Sequence, residues 1–146
     1  MAGSTPRWVL VPLLLMVAFG LSGCVQDSVS NQVDAFSYGG QVADRSGGHT
    51  YTWHVTGSSV QVNWGGQAAK GSLDLVLKDG AGNQVYTRSF SGASQGGSSE
   101  TLRNVKAGDW SVSIQFHGFT GQMGLSLTAS GAGAGGNYCP QGVPGC

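Results

Sequence analysis

Charge is the first thing this chain lacks. Its 146 residues carry seven basic and seven acidic side chains, and the net charge is zero. So few cations form no basic patch or stripe, which excludes nucleic acid as an expected partner. They also leave little material for a base–nucleophile pair. Helical patterning is missing too: apolar residues rarely recur at a period of 3.6. No apolar run reaches the roughly 20 residues that a membrane-spanning helix needs. Cysteine is limited to three residues and proline to four, whereas glycine occurs 26 times, far above its usual share of about 7%. The composition still differs from that of a disordered protein, because aromatic and β-branched residues recur at regular intervals.

What is present begins with a targeting segment. Arg7 is followed by an apolar run from Trp8 to Phe19, interrupted by Pro12, and then by Leu21, Ser22, Gly23 and Cys24. A charged start, an apolar middle and a small-residue cleavage site are the parts of a secretory signal. The Leu-Ser-Gly-Cys string resembles the lipoprotein box of prokaryotic membrane lipoproteins at every position. That resemblance implies a diacylglycerol thioether on Cys24, cleavage before Cys24 and acylation of the freed amine, palmitate being one such chain. A single acyl chain binds a membrane only marginally, but two or three hold stably. Residues 1–23 are thus expected to be a signal peptide and 24–32 a polar lipidated tether. Val25 follows the cysteine where many enterobacterial lipoproteins carry an inner-membrane Asp. The expected location is the extracytoplasmic side of the cell membrane or outer membrane.

From Val33 onward the period is two. Eight strands are expected, roughly Val33–Tyr38, His49–Thr56, Ser59–Trp64, Ser72–Lys78, Gln84–Phe90, Ser98–Asn104, Asp109–His117 and Gln122–Thr128. Gly39-Gly40, Gly47-Gly48, Gly57-Ser58, Gly65-Gly66, Asp79-Gly80, Gly96-Gly97 and Ala107-Gly108 read as the turns between them. Short strands with Gly-rich turns at such spacing argue an all-β sandwich or barrel. Alternation assigns Tyr51, Trp53, Val55, Val60, Val62 and Trp64 to a core. Leu73, Leu75, Leu77, Trp110, Val112, Ile114, Phe116, Met123, Leu125 and Leu127 join them. The opposite faces carry Ser, Thr and Gln. One apolar and one polar face per strand fits an antiparallel, jelly-roll-like β-sandwich spanning 33–130. Phe119 and Tyr138 read as loop aromatics, too few to make a sugar-stacking surface by themselves.

Gly-Ser-Leu-Asp-Leu-Val-Leu-Lys-Asp at 71–79, with Gly82 and Asn83, begins a further pattern. Ala-Gly-Asp-Trp-Ser-Val-Ser-Ile at 107–114 and Gly121 before Leu125-Ser-Leu127 complete it. Together these resemble the bacterial pre-peptidase C-terminal domain. The resemblance implies a small β-sandwich; that family's role as an appendage to enzymes is not expected here.

Residues 131–146 read as a Gly-rich linker and a Cys-flanked tail. Cys139 and Cys146 are an even pair in an exported chain, so a disulfide is expected. It would close a short loop holding Pro140 and Pro144 and stabilise the tail alone.

Several strings mimic active sites. Gly92-Ala-Ser94-Gln-Gly96 matches a nucleophile elbow, which requires a strand and a helix in an α/β sheet. Gly131-Ala-Gly133-Ala-Gly-Gly136 matches a dinucleotide fingerprint, which must open a helix. Neither context is expected. His49, His54 and His117 are scattered without ligand spacing, and the two tail cysteines lack the second pair of a zinc site. Asp74 and Asp79 flank a turn where calcium is conceivable, but an Asp stabilising its own turn is the simpler reading. No metal, cofactor or catalytic residue is therefore assigned. The expected function is a lipid-anchored, non-enzymatic envelope module for surface binding, accessory or structural work. It would be held at the membrane through Cys24, with a protein or envelope polymer as partner. A subunit of an envelope complex, or a small envelope enzyme or metal module, are the alternatives.

Overall fold

The computed structural model describes residues 26–91 and 95–131. Six strands occupy them: β1 (Gln26–Gln32), β2 (Ala35–Val55), β3 (Ser59–Lys78), β4 (Gln84–Ser91), β5 (Gln95–Arg103) and β6 (Gly108–Ser130). Every pairing is antiparallel. The eight expected segments form five strands, because β2, β3 and β6 are long and each contains two of them, and β1 is the sixth. β2, β3 and β6 run through one layer, turn a corner and continue through a second. The first layer is β1, the first half of β2, the second half of β6, the first half of β3, and β5. The second layer is the remaining halves of β2, β6 and β3, with β4 at its edge.

Each corner resets the inside–outside phase. In β3, Val60, Val62 and Ala68 are buried at even positions, whereas Leu73, Leu75 and Leu77 are buried at odd ones. The change falls at Gly71, whose φ of 75° suits only glycine without strain. β2 changes phase between Val42 and Trp53, and β6 between Phe116 and Phe119. Register shifts mark all of these places. Bulges of this kind add a residue and bend the strand.

The layers close on aromatic side chains. Phe36 of the first layer lies 5.5 Å from Tyr51 and 6.5 Å from Trp53 of the second. Trp64 meets Phe90 edge-on at 5.6 Å. Trp53 and Trp110 are fully buried cross-strand partners with rings 5.7 Å apart. Their indole N–H groups donate to the carbonyls of Gln32 and Lys106, at 3.0 and 2.8 Å. These two buried rings thus keep their polar edges satisfied.

Three expectations are corrected. Residues 26–32, read as tether, are strand β1. Its sequence offers little alternation because its inward positions, Asp27, Val29 and Asn31, lie at the open edge of the sandwich. Phe119, read as a loop residue, is fully buried in β6. Gly39-Gly40, Gly47-Gly48, Gly65-Gly66 and Gly96-Gly97, read as turns, lie inside strands. The sequence-assigned core otherwise matches the structure, with Trp64 and Tyr51 only partly buried. The signal segment, Cys24, Gly92 to Ser94, the 131–136 string beyond Gly131, Tyr138, Cys139 and Cys146 lie outside the described residues.

Candidate functional site

The outer face of the first layer is built in rows. Register places Gln41 of β2, Gln122 of β6 and Gln67 of β3 side by side, and puts Gln26 of β1 and Gln95 of β5 in the same row. The next outward row is Ser28, Gly39, Gly124, Gly65 and Gly97. The third is Ser30, Ser37, Ser126, Asn63 and Ser99. A glycine floor therefore lies between a glutamine wall and a Ser/Asn wall, and all of it runs across the strands. An open groove of about 580 Å³ follows this floor from Ser28 to Gly65, with Gln41 and Gln122 on one side. A second depression continues it past Asn63 and Ser126.

No hydrogen bond to another described residue occupies the side-chain amides of Gln41, Gln67 or Gln122, which are exposed. Each offers two donors and an acceptor. Around this floor, Ser28 Oγ donates to the Gly39 carbonyl at 3.2 Å. Charge on this face lies at its ends: Arg103 at the far corner, and the exposed Lys70–Asp44 pair, 3.4 Å apart beside Thr120, one row beyond the glutamines.

The clusters of titratable groups lie off this floor. Arg45 pairs with Asp27, donates to His49 Nε2 at 2.7 Å and lies over the Phe116 ring at 4.8 Å. Burial first, then the Asp27 charge, push the Tyr38 phenol above its ordinary range, so it stays neutral beside Arg45. This cluster fastens edge strand β1 to the corner of β2. On the outer face of the second layer, Asp74 accepts from Ser89 Oγ at 2.5 Å and contacts His117 Nε2 at 3.0 Å. The carboxylate stands between serine and imidazole, so the imidazole cannot take the serine proton as a catalytic triad requires.

Asp79 is buried at a turn. Its Oδ1 accepts the backbone N–H groups of Ala81 and Asn83, at 3.0 and 2.9 Å. Desolvation pushes its pKa up, but these bonds outweigh it and hold the group below the usual carboxylate range. Asp74 and Asp79 are thus engaged by N–H and O–H donors, and no group of three metal-binding side chains occurs among the described residues. His54 meets Asp109 at 2.8 Å. The three histidines are brought to three separate partners rather than to one site.

Sequence reasoning missed this face. Its signal, the glycine pairs and isolated glutamines, becomes legible only once register aligns them across strands.

No family model matches this sequence, and no curated protein does. Among solved structures, TmCBM61 in complex with β-1,4-galactotriose is 15% identical, covering 73% of this chain and 70% of that one, with a TM-score of 0.41. A carbohydrate-binding module of Cellvibrio mixtus lichenase 5A in complex with cellotriose is 12% identical, covering 73% and 87%, at 0.43. A pilus structure from Bacillus endospore appendages is 16% identical, covering 72% and 92%, at 0.38. These are likenesses of strand arrangement only.

Proposed function

We propose that this chain is a lipid-anchored, non-catalytic binding module of the cell envelope. Its anchor is Cys24, and its partner rests on the outer face of the five-stranded layer. The carrying observation is the chemistry of that face: rows of amides, glycines and hydroxyls, with charge only at its ends, at Arg103 and in the Lys70–Asp44 pair. Such a face suits an uncharged surface or polymer, and its described residues include no proton-transferring pair. The Cys139–Cys146 disulfide belongs to the same proposal, as a staple of the tail.

One experiment tests the reading in native membranes. A photo-reactive residue at Ser126, on the outer face of the first layer, is compared with one at Thr52, on the outer face of the second. The reading expects cross-linked adducts from position 126 and not from 52. It also expects fatty-acid labelling that disappears in Cys24→Ala. Adducts from position 52 alone, or from neither, would refute the binding face. Equal labelling of both proteins would refute the anchor.

A further inference from the structure

We infer that the groove over Gly39, Gly124 and Gly65 binds a neutral polysaccharide chain that crosses the strands. This deepens the binding-module reading and rests on it.

The dimensions come first. Four residues along each strand separate the glutamine row from the Ser/Asn row, which is about 13 Å at 3.3 Å per residue. After the side chains take their share, the width left over the glycines fits one sugar ring. Along its length the row crosses from β1 to β5, four strand spacings, or about 19 Å. That is room for several consecutive rings, so an extended polymer fits better than a single small molecule.

The chemistry matches in the same way. A pyranose ring has C–H faces and a rim of hydroxyls. Glycine Cα–H groups, with no side chain above them, give a flat and weakly apolar floor for such a face. The rim hydroxyls then reach Gln41 and Gln122 on one side, and Asn63 and Ser126 on the other. These walls supply donors and acceptors together, as hydroxyls require. Charge selects among polymers. The described residues that line the groove include no cation to favour a polyanion and no carboxylate to favour a polycation, and the nearest charges, Lys70 and Asp44, pair with each other.

The fold does not explain the floor. A Cβ at Gly124 would meet nothing within 4 Å, and one at Gly65 only ordinary contacts starting at 3.6 Å. Neither residue has a positive φ. Inward-facing Gly66 differs, since a Cβ there would lie 2.5 Å from the Gln122 carbonyl. Packing thus requires glycine at 66 but not at 65 or 124. What glycine provides at 65 and 124 is an unobstructed floor.

The test uses the full-length chain, expressed in a bacterium and extracted in detergent. Retention is measured on insoluble neutral glucans, galactan and xylan, with a polyanionic polymer as comparison. Retention on at least one neutral polymer is expected, and it should survive 0.5 M salt because no ion pairs are involved. Gly124→Val should weaken it tenfold or more without lowering the thermal midpoint, and Gln122→Ala should weaken it as well. Ser111→Ala, on the other layer, should not. Neutral-polymer retention that Gly124→Val and Gln122→Ala leave intact would overturn the groove. Retention on the polyanion alone would overturn the ligand class. No retention at all, alongside a protein adduct from position 126, would overturn this inference and leave the binding-module reading standing. No retention and no adduct would remove both.

Discussion

Gly65 and Gly124 are register partners across β3 and β6, and both face outward from the middle of the first layer. Neither has a positive φ, and neither is crowded by a neighbouring backbone. Glycine inside a strand weakens it, because the chain loses more freedom on folding and packs no side chain. Their pairing therefore lowers stability at a place where the fold asks for nothing special.

The first prediction follows from that cost. Gly124→Ala should raise stability by about 0.5–1 kcal/mol. Gly71→Ala should do the opposite and cost more than about 1 kcal/mol. Residue 71 has a φ of 75°, and a Cβ there would lie 2.2 Å from the Gly118 carbonyl. Urea midpoints of the two variants check this. A destabilised Gly124→Ala would mean that the floor glycine is structural.

The second prediction concerns the buried tryptophan pair. Trp53 is fully buried against Trp110 and also holds the end of β1 through Gln32. Trp53→Ala should cost about 3–5 kcal/mol. His54, beside it in sequence but partly exposed and paired with Asp109, should cost under about 1 kcal/mol when replaced by Ala. Thermal or urea unfolding distinguishes the two, and a reversed order would put the register of β2 out by one residue.

Asp34 gives the third. It has a φ of 61°, and its carboxylate accepts the Thr56 amide at 2.7 Å and the Thr56 hydroxyl at 2.5 Å. Removing a buried acceptor strands its donors, so Asp34→Ala should lower stability by about 1–3 kcal/mol. It should also loosen the β1–β2 hairpin, readable as faster amide exchange in residues 28–32. Unchanged exchange there would show that Asp34 does not hold the hairpin.

The fourth is a pH dependence. Hydrogen bonds hold the Asp79 pKa below its unfolded value. Its stabilisation is therefore complete above the ordinary aspartate range. As the pH falls the unfolded chain takes up its proton first, so the contribution fades and is gone below the folded pKa. Unfolding midpoints between pH 6 and pH 2 should fall less steeply in Asp79→Asn than in the parent. Parallel curves would show that Asp79 is not linked to acid unfolding.

Much of the sandwich was legible in the sequence because alternation is a local signal. Trp53, Val55, Leu73, Leu75, Leu77, Trp110, Val112 and Ile114 announce their faces by parity alone, and all are buried. What failed had a physical cause in each case. β1 alternates weakly because edge positions need little apolar cover. Phe119 follows Gly118, whose φ of 56° belongs to the corner where β6 changes phase, so parity counted from Phe116 misplaces it. The glycine pairs resemble turns because glycine is the usual turn residue. Inside long strands one member of three of these pairs, Gly39, Gly65 and Gly97, instead joins the groove floor, an alignment visible only when five strands are placed side by side. The candidate site is thus a property of register, which no single stretch of sequence carries.

The most direct test of the account maps contact residue by residue. The isotope-labelled full-length chain in detergent is titrated with soluble neutral glucan, galactan and xylan oligosaccharides while backbone amide signals are followed. The account predicts that at least one of these sugars shifts the amides of Gly39, Gly65 and Gly124 together, with Gln41 and Gln122 beside them. Thr52 and Ser113, on the outer face of the second layer, should stay in place. Shifts confined to the second layer or to the Asp27–Arg45–His49 edge, or no shifts with any of the sugars, would contradict it.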